Sequence, residues 1–108
     1  MKPTLWLIQR DYQNKGHWTR SGDYPGIYTF LEADAIVRAN YDLRMVAAVE
    51  KTQEASGPTT KGCLLHDLLH AAHDRAIRAG SADEFATYTL AYERLRGLST
   101  RLYERKAA

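Results

Sequence analysis

Four residues whose side chains bind metals or move protons, Cys63, His66, His70 and His73, follow one another at spacings of three, four and three. In a helix those intervals place all four along one stripe. Imidazole and thiolate are ligands for zinc and its neighbours, and a thiolate beside an imidazole is a nucleophile next to its base. The rod that carries them limits both chemistries. A helix rises about 1.5 Å per residue, so Cys63 and His73 lie about 15 Å apart along the axis, and one zinc ion with bonds of about 2.0–2.3 Å cannot gather all four. At most two neighbours, such as His66 and His70, share an ion, and further donors would have to come from His17, Asp67 or Asp74.

Catalytic arrangements built on these residues are incomplete. The residue after His66 is Asp67, not the glutamate of a zincin helix. The His66-Asp67 dipeptide alone is shared with His-Asp metal phosphohydrolases, which need further ligands on several helices. Cys63 and His66 have no third group to orient the base and no oxyanion donors. Phosphate-binding glycine loops are absent, because Ser21 to Gly26 has neither the lysine nor the spacing of a P-loop and no GxGxxG occurs. Asp83 and Glu84 form a carboxylate pair, but in a first helical turn, where the helix dipole accounts for them. The stripe reads as solvated or hydrogen-bonded histidines with a partly buried thiol. No catalytic residue, metal or cofactor is expected, and the chain is not read as an enzyme.

Contact chemistry is better represented. The chain holds seven tyrosines and two tryptophans in 108 residues, the side chains that bury large area at low rotamer cost in protein interfaces. Tyr12, Trp18, Tyr24 and Tyr28 cluster with Arg20 in a segment too small to bury every ring, and these five are the candidate protein-binding residues. Some of the rings fit a core equally well. Nucleic-acid binding is the alternative, with bases stacked on the aromatic and basic hairpin and phosphates held by Arg94, Arg101 and Arg105 near the C-terminus. Glu93 and Glu104 dilute that basic cluster, and the formal net charge is only +2. A homodimer through the aromatic surface or the histidine stripe also fits.

The elements that must position these groups follow from periodicity. Thr4 to Tyr12 alternates, with Leu5, Leu7 and Gln9 on one face and Trp6, Ile8, Arg10 and Tyr12 on the other, which predicts a strand apolar on both sides. Asn14-Lys15-Gly16 supplies a turn, and His17 to Arg20 returns as a partner strand. A short extended piece at Ile27 and Tyr28 follows a polar loop. Thr29-Phe30-Leu31-Glu32 is a capping box opening a helix that Asn40 ends in a left-handed turn. Leu43 to Glu50 alternates like a strand. Residues 54–62, with Ser56-Gly57-Pro58, read as a loop. Helices are predicted over 61–79, burying Leu64, Leu65, Leu68, Leu69, Ala72 and Ala76, and from Ser81 past Tyr103, with Phe85, Tyr88, Tyr92, Leu95 and Leu102 on one face.

The predicted fold is therefore α+β, an N-terminal β-hairpin and βαβ-like small antiparallel sheet packed with a C-terminal αα-hairpin. It is read as one domain over 1–108, with a mixed half over 1–53 and a helical hairpin over 63–108. Hydrophobic residues are 44% and charged residues 26%, the balance of a folded globular chain. One cysteine allows no internal disulfide, and no run approaches the roughly 20 apolar residues that span a bilayer, so a cytoplasmic location and no membrane partner are expected.

Trp6-Leu7-Ile8-Gln9-Arg10, then Trp18, then Tyr28-Thr29 leading into an alanine-containing helix and a strand over 46–49, resembles small accessory proteins of phages and mobile elements. The likeness covers about the first half of the chain. Anti-CRISPR proteins are a prominent class of such proteins, and they act without catalytic residues. The resemblance implies a mode of action, inhibition by occupying the surface of a bacterial host or defence complex of CRISPR-Cas type. It carries over no functional residue.

Overall fold

The protein is described by a computed structural model over residues 4–107. Its organising element is β1 (Trp6–Asp11), which pairs antiparallel with every other strand. The strand β4 (Leu43–Ala47) covers one edge of β1 from Trp6 to Arg10. On the other edge β3 (Ile27–Tyr28) takes Trp6 and Leu7, and β2 (Trp18–Arg20) takes Gln9 to Asp11. Because β3 and β4 both run antiparallel to β1, they are parallel to each other with β1 between them. The helix α1 (Phe30–Ala39) links them, so the predicted βαβ-like unit is one split by the first strand.

The hairpin turn closes on the Asp11 carboxylate, which accepts the backbone N–H groups of Lys15 at 3.2 Å and Gly16 at 2.6 Å. Asn14 and Gly16 sit at φ 55° and 80°, a region that asparagine and glycine enter at least cost. The capping box of α1 is complete. Thr29 Oγ1 accepts from Glu32 N at 3.3 Å, and Glu32 Oε1 accepts from Thr29 N at 3.1 Å. Asn40 ends α1 differently from expectation: its φ is −138°, and it caps by donating Nδ2–H to the Ile36 carbonyl at 2.8 Å.

Alternation along β1 divides the core in two. Leu5 and Leu7 face Ile27 and the helices α3 (Leu64–Ile77) and α4 (Ala82–Ala107), where Leu65, Leu68, Ala72, Tyr88, Leu95, Leu98 and Leu102 close the larger cluster. Ile8 faces the other way, onto Ala33 and Leu43 with Ile36, Val37 and Met45 around them. The result is three layers: α1, the sheet, and the α3–α4 hairpin. Each large apolar side chain so buried contributes about 1.5–3 kcal/mol, and those of β1 do so on both faces of one strand.

Four further expectations need correction. The segment 54–62 is not all loop and the fourth strand does not reach Glu50, because a helix, α2 (Glu50–Ser56), lies between them. Its one buried residue is Gln53, so it has no apolar stripe for periodicity to detect. The left-handed Gly57, at φ 78°, stops it. Phe85 is 55% exposed and does not join the face of α4 that packs on α3. The helix α3 is shorter than the expected 61–79, starting at Leu64 with Cys63 as its N-cap, and the thiol sulfur accepts the His66 N–H at 3.3 Å.

Candidate binding surfaces

The five aromatic and basic residues of the predicted interface do not form one surface. In an antiparallel pair, opposed residues share a face, so Trp18 and Arg20, opposite Asp11 and Gln9, lie on the α3 side of the sheet. Tyr12 continues the opposite alternation. Tyr24 and Tyr28 pack against the small cluster on the α1 side. Three of the five are engaged internally. Arg20 Nη1 bonds Asp74 Oδ2 at 2.7 Å and the Pro25 carbonyl at 3.0 Å, fastening β2 to α3. Tyr28 belongs to a cluster around Arg75, described below.

Tyr12 and Trp18 remain as rings at the free end of the hairpin, one on each face. Tyr12 is 54% exposed, and its hydroxyl accepts the Gly22 N–H at 2.5 Å. Each ring carries a guanidinium: Arg10 stands 5.5 Å from the Tyr12 centroid and Arg44 stands 4.3 Å from that of Trp18. These arginines are themselves fixed. Arg44 Nε donates to Gln9 Oε1 at 2.9 Å, and Arg10 pairs with Asp42 at 3.1 Å and Asp23 at 3.6 Å. Sequence reasoning missed both arginines, although the strand period already put Arg10 beside Tyr12. Arg44 is brought to Trp18 by the β1–β4 register, which no local pattern encodes.

Where α1 and α3 meet at the sheet edge, Arg75 gathers three partners. Its Nη2 lies 2.7 Å from Glu32 Oε2, and its guanidinium stands 5.1 Å from the Tyr28 ring and 4.7 Å from the Tyr88 ring. Burial alone pushes the Glu32 carboxyl up, but hydrogen bonds from Arg75 and from the Thr29 backbone outweigh it and hold the group below its ordinary range. Burial dominates at the phenols of Tyr28 and Tyr88 and raises both. The cluster joins two layers and accounts for Arg75 structurally.

The histidine stripe faces a groove between α3 and α4. His66, His70 and His73 line a cavity of about 340 Å³ with Thr59, Leu69 and Tyr92. The rings of His66 and His70 are 4.3 Å apart, centroid to centroid, with their planes at 61°, and His73 lies 5.5 Å from Tyr92. Cys63 does not join them. Its sulfur accepts the N–H of Thr60 and of His66 and donates to the Pro58 carbonyl at 3.4 Å, capping the helix and holding the preceding loop. Among the described residues no group of three or more His, Cys, Asp or Glu side chains converges as a metal site.

Arg94, Arg101 and Arg105 follow one another at intervals of seven and four, which puts them on one stripe of α4. Acidic neighbours from α2 interrupt that stripe. Arg105 pairs with Glu54 at 3.7 Å, and Arg94 lines a small cavity of about 110 Å³ with Glu50 and Gln53. Gln53 is 1% exposed, and neither atom of its amide has a hydrogen-bond partner in the protein. Among the described residues no helix is long and apolar enough to cross a membrane.

Fold and surface together define a small three-layer α+β protein in which the exposed Tyr12 ring and the half-buried Trp18 ring at the hairpin end each carry an arginine. Comparison of the chain with protein-family models, curated sequences and solved structures finds no match.

Proposed function

We propose that this chain is a non-catalytic protein-binding module that acts by stoichiometric occupation of a partner's surface. The observation that carries the reading is the pair Tyr12 and Trp18, one exposed and one half-buried ring at one end of the sheet, each with a guanidinium beside it. Aromatic anchors held before binding lose little conformational freedom on association, which is the property that makes tyrosine and tryptophan dominate binding hot spots. Consistent with the resemblance of its N-terminal half, the partner is a bacterial host or defence complex, and the outcome is inhibition.

The test is affinity capture from bacterial lysate with the wild-type chain and a Tyr12→Ala/Trp18→Ala variant of unchanged circular dichroism. A protein partner retained in fixed stoichiometry by the wild type and lost by the variant supports the reading. Material that nuclease treatment removes overturns it and favours the alternative, nucleic acid held by the Arg94, Arg101 and Arg105 stripe. In that case oligonucleotide affinity falls steeply with salt.

A further inference from the structure

The protein-binding reading leaves the histidine stripe of α3 without a role. His66 and His70 stand one helical turn apart and open into the cavity of about 340 Å³ beneath Tyr92, so two imidazoles share one solvent-reachable concavity. With no third His, Cys, Asp or Glu converging among the described residues, an ion held here has two protein ligands. Its other positions belong to water or to a small ligand in the cavity.

Ring separation narrows the ion. A metal–imidazole bond of about 2.0–2.1 Å, directed through the ring, sets each ring centroid roughly 3.2 Å from the metal. Two such rings at cis positions of a square-planar or octahedral ion, about 90° apart, have centroids roughly 4.5 Å from each other. At the tetrahedral angle the separation grows to roughly 5.2 Å. The observed value is 4.3 Å, with the planes at 61°, nearer the cis separation than the tetrahedral one, so the two rings chelate a cis pair of positions by turning about their side-chain bonds rather than by moving apart. Tetragonal sites with nitrogen and oxygen donors are those of Cu²⁺ and Ni²⁺, and affinity rises from nickel to copper.

We propose that His66 and His70 form a bidentate chelate for a tetragonal divalent ion, Cu²⁺ more tightly than Ni²⁺, with the open positions facing the cavity beneath Tyr92. His73 is outside the chelate, because it lies toward Tyr92 on the next turn. Cys63 is outside it too, its sulfur being engaged by the loop and the helix cap.

The test uses the untagged chain, free of added histidines. Calorimetric titration with NiCl₂ is expected to show one ion per chain, and CuCl₂ added to a Cys63→Ser variant is expected to give an electron paramagnetic resonance signal with two equatorial nitrogens. His66→Ala and His70→Ala should each weaken Ni²⁺ binding by about tenfold or more, the loss of half a two-ligand set. His73→Ala and Cys63→Ser should leave it within about twofold. Circular dichroism melts without metal establish that each variant is folded, and His70→Gln replaces any that is not. Absence of saturable binding below about 1 mM Ni²⁺ would sink the proposal. So would equal losses at His73 and His70, or a copper spectrum with fewer than two nitrogens.

Discussion

Arg75 in the third helix holds Glu32 in the first turn of α1, Nη2 to Oε2 at 2.7 Å, and so ties together two layers that lie on opposite faces of the sheet. Glu32 therefore serves twice, since its other oxygen accepts the Thr29 N–H of the capping box. The Arg75 side chain is 19% exposed and that of Glu32 is 40% exposed, a setting between a surface pair and a buried one.

Removing one partner is correspondingly costly. Arg75→Met should destabilise the fold by about 1–3 kcal/mol, below the loss for a fully buried pair because water still reaches Glu32. Urea denaturation of Arg75→Met, Glu32→Gln and the double variant should return a coupling of about 1 kcal/mol. Additive single effects would show the pair to be incidental.

The same pair sets the acid limb of stability. The folded Glu32 carboxyl ionises below its unfolded value of about 4.3, so the unfolded state binds more protons in that window. Its stabilisation is fully present above the unfolded value and is lost as pH falls through the folded one. Glu32→Gln should flatten the fall of melting temperature below about pH 4.5. Tyr28 and Tyr88 act with the opposite sign, because burial raises their folded values. Their contribution is present below about pH 10 and disappears as pH rises further. Tyrosinate absorbance should show two of the seven tyrosines ionising late, and Tyr88→Phe should remove one of them.

Gln53 offers a gain rather than a loss. Its amide is buried without a protein partner, and a buried polar group left unpaired costs about 1–3 kcal/mol. Gln53→Leu, of similar volume and next to Leu5, Ile27 and Leu95, should raise stability by about 1 kcal/mol in denaturant titration. A loss of similar size would mean that the amide finds bonds in solution.

Cys63 is a helix cap that happens to be a thiol. Cys63→Ser should keep the cap and stability within about 0.5 kcal/mol, whereas Cys63→Ala removes the acceptor for the Thr60 and His66 N–H groups and should cost about 1 kcal/mol. Thermal melts of the two variants side by side separate capping from thiol chemistry.

Features that repeat within one element were legible in the sequence. The two-faced alternation of β1, the Thr29–Glu32 box and the histidine stripe all depend on neighbours within four residues, and the structure contains each. What could not be read is what distant segments bring together. Arg44 meets Trp18 through strand register, and Arg75 meets Glu32 across a sheet edge 43 residues away in sequence. The helix α2 escaped because it buries a glutamine, and Phe85 was misplaced because helical spacing fixes which side chains share a face without fixing how far the neighbouring helix extends.

The central place of β1 also orders the folding of the chain. As synthesis proceeds the first strand emerges with hydrophobic groups on both faces, and its long partner, β4, is more than thirty residues behind it. Closing that loop costs entropy before any contact rewards it. The strand made earliest is thus the one completed late, and its protection waits on segments still being translated.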